Sequence, residues 1–479
     1  MGYFCGLASN STYDFRGFLR RFTLIAGDTL LICLCLFLYL RFFHPTGFQD
    51  YYSLLDNALW ALVIVVLWYF YASVFDLYKL SLVDKQGDIL KNTIITATLT
   101  GITYLFIPFF SPTLPLSRLP AFLLIITMVI SLLGWRLLYA ALFKHPILPV
   151  RAIVVGAGYT GRELVKTLLH DEQIYHRTAY QIFGFIDDDT HKLQKEYDGV
   201  KVLSGSDKLV RYVNRLHLDE VILAIPEHEI LFPEMQMALI RLEEQGTRVR
   251  FAYDIYEQLT GRVMVKFKNG QYFLANPYSI NQKKSFYRVA NRMLNIVWGV
   301  LACLPFVLLI PLVWAINLFS SRGPLFYSQE RVGQNGKGFR ILKFRTMIVD
   351  AEKDGTARFA SAGDDRITPA GRFLRKARLD ELPQFVNILK GDMNLIGPRP
   401  ERQVFVDELS HTIPFFRLRN LVKPGLTGWA QVRHHYTTAT EDSLVKLQYD
   451  LFYIRHRSLM LDLRIMFSTL PVIFKMKGV

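Results

Sequence analysis

Cysteine is scarce in this sequence, with 4 residues among 479. Cys5 lies near the N-terminus, and Cys33, Cys35 and Cys303 fall within apolar stretches. Their spacing matches neither a metal-binding motif nor a disulfide framework, so they are interpreted as small apolar residues. The N-terminus also lacks a short apolar core followed by a small-residue cleavage site. We therefore expect no removable signal peptide.

Acidic residues are too few to balance the basic ones, with 41 Asp and Glu against 56 Lys and Arg, which gives a formal net charge of +15. Such a balance suits anionic lipid headgroups, nucleic acids or phosphorylated substrates. Nucleic acid is the least favoured partner, because the basic residues lie beside apolar segments and in a region of phosphate-binding motifs. Hydrophobic residues make up 51% and the mean hydropathy is positive. These values indicate a membrane protein in contact with lipid.

The first 147 residues are predicted to form a four-helix transmembrane domain. Each of four apolar stretches approaches the roughly 20 residues that a helix needs to cross the hydrocarbon. These stretches are Thr23–Phe43, Ala58–Val74, Thr93–Ser111 and Pro120–Phe143. Asp28 lies within the first of them, where it is either a functional carboxylate or one that faces a neighbour or the interface.

Basic residues flank these stretches unequally, which predicts that both ends of the four-helix unit face the cytoplasm. The loops 44–57 and 112–119 contribute only Arg118. The other side carries Arg16, Arg20, Arg21, Lys79, Lys85, Lys91, Lys144 and Arg151.

A small Rossmann-like α/β domain is predicted over residues 148–275. A buried strand, Arg151–Val155, leads through Gly156-Ala-Gly-Tyr-Thr-Gly161 into a helical pattern. Further strands are predicted at Ile182–Ile186, which runs into Asp187-Asp-Asp189, and at Glu220–Pro226. Strands alternating with helices after a glycine turn are typical of a parallel sheet.

Gly156, Gly158 and Gly161, together with Asp187 after the second strand, match a dinucleotide-binding fingerprint in form. Two interpretations remain: a nucleotide site with a regulatory or assembly role, or a fold retained without turnover. Tyr197 and Lys201 match a Tyr-x-x-x-Lys pattern, but they lie in a loop-like stretch, and we interpret the match as chance.

A fifth apolar stretch, about 293–319, opens a third domain predicted over residues 285–479. It contains Pro305 and Pro311, and its two flanks are equally basic. Prolines remove backbone donors and bend a helix, and a spanning helix should show a charge bias on one side only. We therefore predict a re-entrant helix that enters and leaves the cytoplasmic leaflet. The alternative is an ordinary fifth span.

The chemically richest segment lies between Gln329 and Gln431. Asp380 stands where a helix should begin, because Pro383 is tolerated only in a first turn and Lys390-Gly391 ends the pattern. A carboxylate or a phosphate at that position interacts favourably with free backbone N–H groups. The alternative is that Asp380 is only an N-cap.

Basic residues immediately before Asp380 could neutralise a diphosphate and let a carboxylate approach phosphorus. They are Arg372, Arg375, Lys376 and Arg378. The alternative is that these residues form a solvated face. Glu381 could hold a divalent cation, and Mg²⁺ suits carboxylate and phosphate oxygens.

A set of motifs in this order resembles the bacterial sugar transferase family, the monotopic polyprenyl-phosphate phosphoglycosyl transferases. The motifs are Gly323-Pro324, Gln329-Glu-Arg-Val-Gly333, Lys343-Phe-Arg-Thr-Met347, Leu379-Asp-Glu-Leu-Pro-Gln384, Lys390-Gly-Asp-Met393, Gly397-Pro-Arg-Pro400 and Lys423-Pro-Gly-Leu-Thr-Gly428. The resemblance covers about 289–479 and implies a mixed α/β catalytic domain. With the preceding helices and Rossmann-like domain, the chain is similar to the long members, in the exopolysaccharide- and exosortase-associated branch.

The resemblance implies transfer of a hexose 1-phosphate, from UDP-glucose or UDP-galactose, to undecaprenyl phosphate at the bacterial inner membrane, with release of UMP. Asp380 would form a phosphosugar intermediate and Glu381 would bind Mg²⁺. Phosphate-binding roles are implied for Arg331, Lys343, Arg345, Arg375 and Arg399.

Two departures from the family pattern leave the sugar open. Asn295 stands where an aspartate is usual, and Arg433-His-His435 replaces a Gly-Arg pair. Two other functions also remain: a membrane-anchored nucleotide-sugar dehydratase that works through the α/β domain, and a non-catalytic membrane nucleotide sensor. The sequence leaves open whether the chain forms a homo-oligomer.

Overall fold

The structure is a computed structural model of the chain, and it forms two compact units. The first consists of Met1–Ala157, Val165–Leu223 and Leu231–Val249, and the second of Gly158–Leu164, Ala224–Ile230 and Arg250–Val479. The residues described are 12–43, 51–75, 77–78, 86–107, 119–142, 150–175, 180–225, 233–268, 271–274, 285–320, 323–349, 351, 364–434 and 440–474.

The first unit begins with four helices, at the places where the apolar stretches predict them. They are α1 Thr12–Phe43, α2 Tyr51–Val74, α3 Gln86–Leu105 and α4 Leu119–Leu142. Helix α3 begins and ends earlier than predicted, and Ser111 and Phe143 lie outside the described residues. Fully buried side chains such as Ile64, Trp68 and Met128 form a core among these helices.

Three of the described helices are long and apolar enough to cross a membrane: Arg21–Phe43, Leu119–Leu142 and Ser285–Asn317. Ala58–Val74 is a shorter apolar helix. Helix α3 buries the hydroxyl-bearing Thr93, Thr96 and Thr100, and this polar content lowers its hydropathy. The prediction that all four N-terminal helices cross the membrane stays a prediction.

Asp28 faces a neighbouring helix. Its Oδ2 atom accepts hydrogen bonds from Arg136 Nη2 of α4 at 2.7 Å and from the Tyr78 hydroxyl at 2.6 Å. Trp68 Nε1 in turn donates to the Tyr78 hydroxyl at 2.8 Å. The buried charge is thus paired, as apolar surroundings require. The loop basic residues Lys79, Lys85, Arg118 and Lys144 lie outside the described residues, and the cytoplasmic orientation stays a prediction.

A six-stranded sheet follows, with the order β3-β4-β2-β1-β5-β6. Strand β1 pairs in parallel with β2 and β5, and β2 pairs in parallel with β4, which confirms the predicted parallel α/β arrangement. The third predicted strand ends at Leu223, and Pro226 lies outside the described residues. The elements are β1 Val150–Val155, α5 Tyr159–Tyr175, β2 Tyr180–Ile186, β3 Glu196–Tyr197, β4 Val200–Ser204, α6 Leu209–Leu216, β5 Glu220–Leu223, α7 Pro233–Glu244 and β6 Arg248–Phe251.

The stretch from Tyr197 to Lys201 is a β-hairpin rather than a loop. Strands β3 and β4 are antiparallel, and Asp198-Gly199 forms their two-residue turn. Both turn residues have positive φ, 49° and 81°, which Asp-Gly accommodates in tight hairpins. Tyr197 pairs with Val200 and Lys201 pairs with Glu196, so the tyrosine and the lysine lie on opposite faces of the hairpin.

The second unit carries the remaining elements. Strands β9 and β10 form an antiparallel hairpin, and β11 and β12 form a short parallel pair. The elements are α8 Ala252–Thr260, β7 Val265–Lys268, β8 Gln271–Leu274, α9 Ser285–Ser320, β9 Phe326–Val332, β10 Gly338–Phe344, α10 Pro369–Lys376, α11 Gln384–Lys390, β11 Asn394–Ile396, α12 Gln403–Thr412, β12 Gly425–Thr427, α13 Trp429–Arg433, α14 Thr440–His456 and α15 Leu459–Phe474. The predicted domain boundaries at 147, 148, 275 and 285 stay predictions.

Helix α9 contacts other elements of the second unit over much of its length. It begins eight residues before the predicted Met293, and the helix continues through both prolines. Near its start, Arg292 Nη2 donates to the Leu389 carbonyl at the end of α11 at 2.7 Å. Further along, the Phe306 ring packs 5.8 Å from the ring of Phe344. Basic side chains stabilise helix C-termini, so Arg292 fixes α11 against α9.

A buried ion pair supports the loop that follows β11. Arg419 Nη2 donates to Asp450 Oδ2 of α14 at 2.8 Å and to the Arg399 carbonyl at 3.0 Å. Both side chains are buried, and Glu401 lies 3.5 Å from the Arg419 Nη1 atom. The pair therefore ties the Gly397–Pro400 loop to α14.

Replacing Asp450 with alanine should destabilise the protein by about 3–5 kcal/mol, because it leaves Arg419 buried without its main partner. Thermal unfolding of the purified chain, followed by tryptophan fluorescence, measures the effect. Asp407→Ala is the matched control, since Asp407 and Arg417 form a more exposed pair at 2.9 Å, and such pairs contribute about 0–1 kcal/mol. Equal shifts in the two variants would contradict the assignment.

Candidate active site

Three local features of the sequence determine the backbone conformation around Asp380. Thr368 caps α10, because its hydroxyl accepts a hydrogen bond from the Gly371 amide at 3.0 Å. Arg378 then adopts a left-handed conformation with φ 55°, which reverses the chain. Leu379–Glu381 forms a 3₁₀ turn, and α11 follows until Gly391, at φ 89°, ends it. Asp380 thus lies in the turn before α11, close to where the sequence predicts the start of the helix.

Glu381 is surrounded by three cations. Lys343 Nζ, at the end of β10, lies 3.2 Å from Glu381 Oε1, and Arg399 Nη2 lies 3.3 Å from the same oxygen. Arg378 Nη1 lies 3.7 Å from Oε2. Because the cations come from three segments, this carboxylate joins β10, the 3₁₀ turn and the loop after β11.

Asp380 differs from its neighbour in its surroundings. It is buried, and no residue that the structure describes donates a hydrogen bond to its carboxylate. Burial, and next the negative charge of Glu381, raise the pKa of Asp380, although Lys343, Arg375 and Arg399 oppose the shift. Its lone pairs are thus available to a substrate.

The pKa of Glu381 moves the other way. Burial alone would raise it, but Lys343, Arg399 and Arg378 outweigh burial and hold the pKa of Glu381 below its ordinary value. Two adjacent carboxylates whose environments separate their pKa values are suited to different roles. Glu381 is suited to remain charged, and Asp380 is suited to react.

Arg375 also interacts electrostatically with Asp380. It lies in the last turn of α10, and its Nε atom donates a hydrogen bond to the Thr346 hydroxyl at 2.8 Å. Of the five predicted phosphate-binding residues, the structure therefore brings Lys343, Arg375 and Arg399 toward the carboxylate pair. Arg399 is 36% exposed, so a ligand can reach it.

The other two predicted phosphate-binding residues, Arg331 and Arg345, contact other parts of the unit. Arg331 Nη2 donates to Gln329 Oε1 at 2.7 Å, and its Nη1 donates to the Pro400 carbonyl at 3.4 Å. Burial lowers the pKa of Arg331, and its contacts support the Gly397–Pro400 loop. The buried Arg345 side chain lies against Gly323, whose added Cβ would come 2.5 Å from Arg345 Nη1.

The predicted nucleotide-binding residues belong to the α/β region. Gly156 has φ 103° after β1, Gly158 precedes α5, and Gly161 lies in the first turn of α5. The Asp187 carboxylate already accepts hydrogen bonds from the Ala157 amide at 2.8 Å and the Asp189 amide at 3.0 Å. Lys192 Nζ lies 3.0 Å from it as well. Nucleotide binding by these residues stays a prediction.

The carboxylate pair has a ligand set that suits Mg²⁺ once a phosphate is bound. Among the described residues, no three His, Cys, Asp or Glu side chains come together as a metal cage. Mg²⁺ at nucleotide sites is usually held by one or two carboxylates, with substrate phosphates and water as its other ligands. Lys343 and Arg399 both contact Oε1 of Glu381, and Oε2 is the less crowded oxygen.

Several supporting residues were not predicted from the sequence. Asn387 is buried and bonds β10, because its amide donates to the Arg340 carbonyl at 2.8 Å and its Oδ1 accepts from the Leu342 amide at 3.1 Å. Asn295 Oδ1 accepts from the Leu395 amide at 2.6 Å. The only signal for Asn387 was a polar residue inside an apolar helical pattern, and Asn295 was noted only as a departure from the family pattern.

Two family comparisons match separate parts of the chain. Residues 286–476, which include the carboxylate pair and its cations, match the family described as Bacterial sugar transferase. Residues 73–252, which include the six-stranded sheet, match the family described as CoA-binding domain.

Named relatives match between 38% and 68% of this chain. A UDP-N-acetylgalactosamine-undecaprenyl-phosphate N-acetylgalactosaminephosphotransferase of Aeromonas hydrophila is 42% identical over 46% of this chain and 50% of its own. A UDP-glucose:undecaprenyl-phosphate glucose-1-phosphate transferase of Xanthomonas campestris pv. campestris is 29% identical over 68% of this chain and 64% of its own. An enzyme with the same name from Caulobacter vibrioides is 41% identical over 38% of this chain and 68% of its own.

The chain thus spans between half and two thirds of the length of the first two relatives. It covers more than two thirds of the Caulobacter relative at 41% identity. Together with the apolar helices, which make it a membrane protein, these matches show that the chain belongs to the bacterial sugar transferase family.

Proposed function

We propose that the protein transfers a sugar 1-phosphate from a UDP-sugar to undecaprenyl phosphate, and that this transfer starts the assembly of an exopolysaccharide-type glycan. The observation that carries the proposal is the buried Asp380 carboxylate, which accepts no hydrogen bond from a described residue and lies beside a charged Glu381 among cations. The names of the relatives support glucose or N-acetylgalactosamine as the class of sugar.

The reaction proceeds in two displacements at phosphorus. A carboxylate oxygen of Asp380 forms a bond to the sugar-bearing phosphorus, and the bond from that phosphorus to the bridging oxygen breaks. UMP leaves with that oxygen and the electron pair. An oxygen of undecaprenyl phosphate then attacks the same phosphorus, and Asp380 leaves as a carboxylate. A carboxylate can carry a phosphoryl group between two acceptors in this way.

The cations explain how two negative groups can meet. Lys343, Arg375 and Arg399 all lower the pKa of Asp380 electrostatically, so they favour its ionised form. Because they outnumber the carboxylates, they also attract the diphosphate of the donor. Glu381 holds Lys343 and Arg399 in place, while Asp380 accepts no hydrogen bond from a described residue.

Glu381 would also hold Mg²⁺, through its less crowded Oε2 atom together with phosphate oxygens of the donor. When bound, the cation supplies positive charge next to the leaving group. The Glu381 carboxylate keeps its charge because its surroundings lower its pKa.

The packing of α9 supports the proposed re-entrant helix. The candidate membrane helix Ser285–Asn317 has 33 residues, and at a rise of about 1.5 Å per residue it is longer than the roughly 30 Å of hydrocarbon. Yet Asn291 bonds Asp462, and Phe306 and Val313 pack with Phe344 and Leu374 of the same unit. Contacts near the start and well past the middle of α9 keep this helix beside the elements that carry the carboxylate pair. We propose that these elements lie at the cytoplasmic face of the bacterial inner membrane.

Asp380→Asn should abolish UMP release, with a loss of about 10³-fold or more, because an amide cannot act as the nucleophile. UMP is measured after mixing purified protein with UDP-glucose or UDP-N-acetylgalactosamine, undecaprenyl phosphate and Mg²⁺. Asp407→Asn, on α12, is the matched control and should retain activity. A nucleotide-sugar dehydratase would instead keep its activity in Asp380→Asn, and a sensor would release no UMP in any variant.

Donor alone, without undecaprenyl phosphate, should leave a phosphosugar on Asp380. Intact-mass analysis of the quenched protein should show an added mass of one sugar phosphate, and peptide mapping should place it on the peptide that contains Asp380. An adduct on another residue would refute the covalent role of Asp380.

Glu381→Gln should raise the Mg²⁺ concentration needed for half-maximal UMP release by about 10- to 100-fold, because a charged ligand is lost. The matched control is Glu408→Gln, a change to an exposed residue of α12. Unchanged Mg²⁺ dependence in Glu381→Gln would place the cation elsewhere.

A further inference from the structure

Arg375 is held through one edge of its guanidinium group. Its Nε atom donates to the Thr346 hydroxyl at 2.8 Å. Among the described residues, none forms a hydrogen bond with its two terminal nitrogens, Nη1 and Nη2. Such a pair of parallel donors fits two oxygens of one phosphate.

Thr346 is a fixed acceptor. Its side chain is 6% exposed, and its carbonyl accepts hydrogen bonds from the Thr368 amide at 3.0 Å and the Thr368 hydroxyl at 3.3 Å. The next residue, Met347, forms a β-bridge with Ile367. The hydroxyl that holds Arg375 therefore has little freedom to move.

Gly371 allows α10 to come close enough for this contact. A Cβ atom at this position would lie 2.1 Å from the Thr346 carbonyl oxygen, so any larger residue would push the helix away. Arg375 follows four residues later on the same helix and so lies on the same face. The close approach at Gly371 therefore brings Arg375 within hydrogen-bonding distance of Thr346.

The charge of Arg375 acts on the carboxylate pair. Its charge interacts favourably with Asp380, Asp364 and Glu381, and unfavourably with Arg366. Because Thr346 holds the guanidinium group at Nε, the charge of Arg375 stays where it favours the ionised form of Asp380.

We propose that Thr346 is a positioning residue whose hydroxyl orients Arg375, so that Nη1 and Nη2 bind the sugar-bearing phosphate while it is transferred to Asp380. This inference rests on the proposed function. Thr346 itself does not contact the substrate, and its effect passes through Arg375.

The test is a double-mutant cycle on UMP release with Thr346→Val, Arg375→Ala and the two combined. Thr346→Val should lower kcat by about 10- to 100-fold, since a misplacement of about 1 Å can cost that much. KM for the UDP-sugar should change less, because a misaligned arginine still attracts the diphosphate. Thr346→Ser, which keeps the hydroxyl, should restore most of kcat.

In the Arg375→Ala background, Thr346→Val should cause no further loss, because Thr346 acts only through that arginine. Thr469→Val is the matched control: Thr469 pairs with the Thr427 hydroxyl at 2.9 Å and lies on α15. The unfolding midpoints of Thr346→Val and Thr469→Val should agree, so that the difference in kcat is not a loss of folding.

Additive effects of the two substitutions, or a serine variant as impaired as the valine variant, would overturn the positioning role while leaving the proposed function intact. Absence of UMP release by the unmodified protein, with every UDP-sugar supplied, would overturn the proposed function and this inference together.

Discussion

The buried charge of Glu381 is the constraint on which the C-terminal unit depends. Three cations from separate segments, Lys343, Arg378 and Arg399, converge on its two oxygens. A buried carboxylate is stable only when it is paired, so the folded chain must bring these three segments together around Glu381. The same pairing leaves Asp380 as the carboxylate without a hydrogen bond from a described residue, which is the property that a nucleophile requires.

Further layers of buried polar contacts hold this arrangement. Arg419 connects Asp450 to the carbonyl of Arg399, and Asn387 connects α11 to β10. Each contact satisfies a buried polar group that would otherwise destabilise the fold. The loops around the carboxylate pair are thus held by buried side-chain hydrogen bonds.

Helix α9 contacts the elements around the carboxylate pair and also carries an exposed apolar surface. Arg292 donates to two carbonyls at the end of α11, the helix that follows the carboxylate pair. The opposite face of α9 exposes large apolar side chains, including Leu304 and Leu308, which are suited to lipid. Helix α9 thus packs on the elements that carry the carboxylate pair and exposes an apolar surface that is suited to lipid.

The sequence by itself determined the apolar helices, the parallel sheet and the turn that carries Asp380, because periodicity, proline and glycine signals act locally along the chain. Its ordered motifs also gave the resemblance to the family. It did not reveal the Tyr197–Lys201 hairpin, the early start of α9, or the placement of Arg331 and Arg345 as supports. Nor did it distinguish Asp380 from Glu381 by environment. Only tertiary structure decided the surroundings of the two carboxylates. Lys343 and Arg399 lie 38 and 18 residues along the chain from Glu381, and Thr346 lies 29 residues from Arg375. The pKa values depend on which charges meet in space.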